Sequence, residues 1–151
     1  MKLLKQYRFG FDFWGLLLFL LVMFPNFIWF AVPAPNDVLR ADSITPVVDV
    51  IASICQVLTV VCLCFLLNEE RDKLRFSPLV IAAVICIAVY YLGWALYYSG
   101  IANSWVILLL AIPPCLAFIL FAADRKNLPA VLFASVFAVG HLVFGVVNFV
   151  I

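Results

Sequence analysis

Asp49 and His141 stand in apolar surroundings, where an ionisable side chain is costly and is kept for a purpose. A carboxylate and an imidazole that meet inside lipid can hold a proton, an ion or a polar ligand, or act as base and acid on a lipid substrate. Ser53, one helical turn beyond Asp49, makes a Ser/His/Asp set arithmetically available, but nothing supplies an evident oxyanion hole. Three amides add neutral hydrogen-bonding groups: Asn26, Gln56 and Asn148. Tyr90, Trp94 and Tyr97 follow one another at steps of four and three, which puts three large rings on one face of a helix. These eight residues, Asn26, Asp49, Gln56, Tyr90, Trp94, Tyr97, His141 and Asn148, are the candidate ligand-binding set.

Other chemistry is absent. One histidine in the chain excludes a bis-histidine haem within it, and no zinc, nucleotide or nucleophile-elbow motif is found. No cofactor and no metal site is therefore expected. The five cysteines, Cys55, Cys62, Cys64, Cys86 and Cys115, lie in apolar segments without a CxxC spacing and read as small membrane-compatible residues. A formal net charge of +1 leaves no footprint for nucleic acid.

The candidate residues need elements to carry them, and composition names the solvent. At 68% hydrophobic, the 151-residue chain has too little polar surface to coat a water-soluble globule. The expected fold is an all-α, integral membrane bundle, one domain of five transmembrane helices over residues 11–32, 45–67, 77–99, 104–122 and 129–151. Pro46, Pro78 and Pro129 fall near helix starts, where a missing N–H costs nothing. Pro25 and the pair Pro113-Pro114 fall inside helices, where they free carbonyls that neighbours or water must satisfy. Such breaks also mark binding sites in transporters.

Charge sets the orientation. Lys2, Lys5, Arg8, Arg71, Lys73, Arg75, Arg125 and Lys126 fall on one side and Arg40 on the other. The positive-inside rule then makes the N-terminus cytoplasmic and the C-terminus external, in a cell membrane. Asp12 is expected near the inner interface. The first segment is read as an uncleaved span rather than a signal peptide, because it is long and contains Asn26.

On the second helix Thr45, Asp49, Ser53, Gln56 and Thr59 recur every three or four residues. On the fifth, Ala134, Ala138, His141, Gly145 and Asn148 do the same. Stripes of this kind let membrane helices approach and bond to one another. The polar residues concentrate in the outer half, so the leading expectation is a non-enzymatic protein with an outward-facing polar and aromatic cavity. It would bind or pass a small molecule, a lipid or an ion, with Arg40 as an alternative structural partner for Asp49. A second expectation is an accessory subunit whose stripes serve a homo- or hetero-oligomer. A third is a lipid-modifying enzyme using His141 and Asp49. In outline, helix number, length and aromatic richness resemble the tryptophan-rich sensory protein/translocator family. That family's Trp- and Pro-containing motifs are not found here, where Trp14, Trp29, Trp94 and Trp105 are scattered, so the resemblance is one of architecture.

Overall fold

The computed structural model describes residues 6–71 and 74–151. Lys2, Lys5 and Lys73 of the charge count lie outside the described residues. Five helices carry the chain: α1 (Phe13–Ala31), α2 (Pro46–Phe65), α3 (Pro78–Tyr98), α4 (Ser104–Asp124) and α5 (Leu128–Phe149). Each is long and apolar enough to cross a membrane. The five expected spans are all present, with no end displaced by more than two residues. Side-chain caps set the starts of four of them. Asp12 accepts hydrogen bonds from Trp14 N and Gly15 N and so starts α1 at Phe13 rather than at residue 11. Ser77, Asn103 and Asn127 cap α3, α4 and α5 in the same way.

The purely α-helical expectation needs one amendment. Strands β1 (Tyr7–Phe9) and β2 (Leu66–Asn68) form a small antiparallel ribbon, with Arg8 opposite Leu67. Residues expected to finish the second helix are extended instead. The turn of α2 into β2 brings Gly10 N to Phe65 O and Asp12 N to Cys64 O, which satisfies carbonyls at the helix end.

The helices pack in the order α1–α3–α4–α5–α2, with α2 returning to α1. α4 is the most enclosed of them, with twelve of its residues buried. Small residues set the close approaches. A Cβ on Gly15 would sit 2.6 Å from Leu63 O, so α1 and α2 touch backbone to backbone near the ribbon. A Cβ on Gly93 would meet Leu109 Cβ at 3.0 Å, and one on Gly140 would meet Ala52 Cβ at 2.9 Å.

At the ribbon end, called here the basic end, Arg8, Arg71, Arg75, Arg125 and Lys126 gather. Asp12 is only 5% exposed and receives Arg125 in a buried ion pair of 2.5 Å, a partner the sequence did not suggest. Arg125 comes from the α4–α5 turn, so this pair ties the start of the chain to its far half. Asn127 reinforces the tie by donating to Cys62 O, in the last turn of α2, and to Leu66 O, at the start of β2. Lys126 adopts a left-handed φ of 51°, which a non-glycine residue holds only under constraint. Its carbonyl accepts from both Tyr7 Oη and Asn68 Nδ2, and those bonds supply the constraint.

Candidate functional site

Proline 25 and the aromatic face of α3 explain one another. Pro25 has no N–H to give Leu21 O four residues earlier, and the Tyr91 hydroxyl donates to that carbonyl at 2.8 Å. Tyr90 Oη donates to Val22 O at 3.1 Å and accepts from Asn26 Nδ2 at 2.7 Å, while Asn26 Nδ2 also reaches Val22 O. A proline that would otherwise leave an orphan carbonyl in lipid thus becomes the docking point of α1 on α3. Trp94 lies one turn further along α3, edge-on to Tyr90 and Tyr97 at 6.2 and 5.8 Å between ring centres, and 6.5 Å from Trp29 of α1. All three rings of the sequence stripe are buried, Tyr97 completely.

These rings form one wall of a cavity of about 320 Å³. α1 packs on α2 and α3 while α5 packs on α2 and α4, so α1 and α5 are left apart and the cavity fills the gap. α4 supplies its back, where Pro114 takes part in the lining. Gly145 keeps the space open: a Cβ there would meet only Ala111 and Ile107, at 3.7 and 4.0 Å. From Phe137 to Phe149 the cavity follows α5 for about 18 Å, some three turns of helix.

Of the eight candidate residues, Asn26, Gln56, Tyr90, Trp94 and His141 line this cavity. Three do not. Tyr97 is turned under the 32–45 connection, where its hydroxyl donates to Asp37 Oδ1 at 2.9 Å and accepts from Leu39 N. Asn148 accepts from Ile44 N and donates to Thr45 Oγ1, which pins the same connection to the end of α5. Asp49 accepts from Thr45 Oγ1 at 3.0 Å in the first turn of α2. It is a local bond near a helix end, not a charge in the cavity. The expected Asp49–Arg40 pair is not formed, because Arg40 is bound to Asp37, three residues away, at 2.7 Å. Ser53 is exposed and hydrogen-bonds neither Asp49 nor His141, so no Ser/His/Asp set is assembled. The α2 stripe is therefore split: Gln56 and Thr59 face inward and Ser53 outward.

Gln56 and His141 are the cavity's open polar groups. Neither side chain is hydrogen-bonded to another described residue, and both remain partly accessible. His141 is stacked between Phe137 and Phe144, at 5.2 and 6.1 Å between ring centres. Trp94 Nε1 is different: it is enclosed without an acceptor in hydrogen-bonding geometry, beside the Tyr90 hydroxyl. Asn26 and Tyr90 are already committed to each other. No cluster of three or more metal-ligating side chains occurs among the described residues.

Sequence reasoning passed over the residue that closes this end of the molecule. Asp37 accepts from Trp29 Nε1 (2.8 Å), Tyr97 Oη (2.9 Å), Ala34 N (3.2 Å) and Arg40 Nε. Arg40 lies over the Trp29 ring, 4.9 Å from its centre, and donates to Trp29 O. Burial by itself would raise the Asp37 carboxyl, but these four hydrogen bonds outweigh it and hold the group below the ordinary carboxylate range. The connection is thereby strapped across the cavity end, with Leu39 as part of the lining. The available signal was Asp37 and Arg40 at i and i+3 in a loop rich in proline; what the sequence lacked was the pairing with Trp29 and Tyr97.

The chain matches no protein-family model, no curated protein and no solved structure.

Proposed function

We propose that this is a multi-pass cell-membrane protein that binds a small molecule or lipid in the cavity between α1 and α5. The observation that carries the reading is the pair of unengaged polar side chains, Gln56 and His141, on an otherwise aromatic and aliphatic wall of about 320 Å³. Ligand sites have this composition: mostly apolar lining with a few convergent polar groups. Five of the basic residues share one end of the bundle, which supports a cytoplasmic ribbon and an external strap. The cavity then belongs to the outer half.

An ion is not the occupant we propose, since no carboxylate lines the space. Asp49 hydrogen-bonds Thr45 and lies outside the lining, so an enzyme using Asp49 with His141 draws less support than binding. An accessory role draws less support than binding, because the α5 stripe of Ala134, His141 and Gly145 turns inward rather than toward a partner.

A thermal-stability screen in lipid nanodiscs tests the reading. Neutral amphiphiles should stabilise the wild type, and Gly145→Leu, which fills the cavity, should abolish the shift. Val84→Leu, at a position of α3 that is 61% exposed and outside the cavity lining, serves as the control and should keep it. Stabilisation that survives Gly145→Leu would place the ligand elsewhere and sink the proposal.

A further inference from the structure

Three features of the cavity restrict what it can hold beyond the fact of binding, and the restriction rests on the binding reading above. The first is charge. The lining contains no Asp, Glu, Lys or Arg, so an ionised head would be buried without a permanently charged partner, which disfavours it. The second is the shape of the wall. Trp29, Trp94, Phe118, Phe137, His141 and Phe144 bring rings from four helices onto one space, and offset or edge contacts with such rings favour a planar guest. The third is access. The strap is held at one end by the four hydrogen bonds to Asp37. On the sides, Met23 and Phe30 of α1 and Phe144 and Phe149 of α5 line the cavity while remaining partly exposed, Phe30 by 61%. On the membrane reading above, these partly exposed apolar side chains would meet the hydrocarbon of a bilayer and give the cavity a lateral entry.

We infer that the occupant is a neutral, bilayer-dissolved lipophile with a planar ring head bearing a carbonyl group, entered from the side and held by hydrogen bonds from Gln56 and His141. Gln56 can offer an amide N–H and neutral His141 a ring N–H, and both can also accept, so a carbonyl head with or without a neighbouring hydroxyl finds a partner. Of the other polar groups of the wall, Asn26 Nδ2 and Tyr90 Oη bond each other, Trp94 Nε1 is enclosed, and Asn26 Oδ1 is an acceptor that a carbonyl oxygen cannot use. The head is thus assigned to the α2 and α5 side of the cavity and the apolar body to the α1 and α3 side.

Matched probes test the assignment. Fluorenone and fluorene share one planar skeleton and differ by the ketone; fluorene carboxylate adds a charge. Equilibrium binding would be measured in phosphatidylcholine nanodiscs, with partitioning into empty nanodiscs subtracted. Fluorenone should bind the wild type roughly threefold to tenfold more tightly than fluorene, the range a neutral hydrogen bond supplies. The carboxylate should bind more weakly than either. Gln56→Leu and His141→Phe should each shrink the fluorenone advantage while fluorene binding persists, and that persistence also reports that the variants fold. Equal binding of fluorene and fluorenone, or preference for the carboxylate, would overturn the head-group assignment while leaving a site in the cavity. No saturable binding of any probe, with Gly145→Leu indistinguishable from wild type, would overturn the cavity reading itself along with it.

Discussion

Replacing Asp37 with alanine should loosen the strap at the mouth of the cavity, and the structure fixes how much. The substitution removes the acceptor of four donors. Tyr97 is completely buried, so its hydroxyl cannot turn to water, and an orphaned buried donor costs about 1–3 kcal/mol. Trp29 is only partly buried and sits at the low end of that range. Arg40 is 42% exposed on its side chain, so its ion pair contributes only about 0–1 kcal/mol. These groups share one carboxylate, so their losses do not add in full, and the expected total is about 2–4 kcal/mol. Asp37→Asn discriminates the atoms. Trp29 and Tyr97 both donate to Oδ1, which the amide retains, whereas Arg40 and Ala34 donate to Oδ2, which becomes an NH₂ group. Its cost should be near 1–2 kcal/mol, about half that of alanine. The assay is reversible unfolding in mixed micelles, with the tryptophan emission as a second signal for the release of Trp29. In a double-mutant cycle, Tyr97→Phe should be milder in the Asp37→Ala background than in wild type. The reasoning fails if Asp37→Ala lies within about 0.5 kcal/mol of wild type, or if asparagine is as damaging as alanine.

Acid should act on the same group. The folded-state pKa of Asp37 is lowered from 3.8, so its carboxylate stabilises the fold above that value, and the contribution is lost as pH falls through the lower, folded value. Stability traced to Asp37 should therefore be flat above about pH 5 and decline below pH 4, and Asp37→Asn should lack that step in an acid titration of unfolding. Tyr91→Phe should cost about 1 kcal/mol by leaving Leu21 O unpaired, yet little in a Pro25→Ala background, where the restored N–H takes that carbonyl; equal costs in both backgrounds would refute the pairing. Arg125→Leu should destabilise by about 3–5 kcal/mol through the uncompensated Asp12 carboxylate, and adding Asp12→Asn should recover part of it in the same unfolding assay. Gly15→Ala should cost about 1–3 kcal/mol, because its Cβ would press on Leu63 O and separate α1 from α2, readable as lost stability with an unchanged helical spectrum.

The sequence by itself determined the spans and where they begin. Apolar runs of helical length and prolines at first-turn positions are local properties, and five helices follow from them whatever their neighbours. It also determined which faces are polar, since position on a helix follows from spacing alone; hence Tyr90, Trp94 and Tyr97 are buried together and His141 turns inward. What spacing cannot give is the partner opposite a face. Asp49 shares a stripe with Gln56, yet one accepts a hydrogen bond from Thr45 in the first turn and the other lines a cavity, because α2 leans on α5 at Ala52 and Gly140 and places them in different surroundings. Asp37 and Asp12 gain their importance from Tyr97 and Arg125, which lie 60 and 113 residues away in the chain. Pro25 is the clearest case. Read along the chain it is a break in the first span, but in three dimensions α3 lays two tyrosine hydroxyls against the carbonyls beside it. A freed carbonyl in lipid must find a donor, and only the packing of helices decides which residue supplies it.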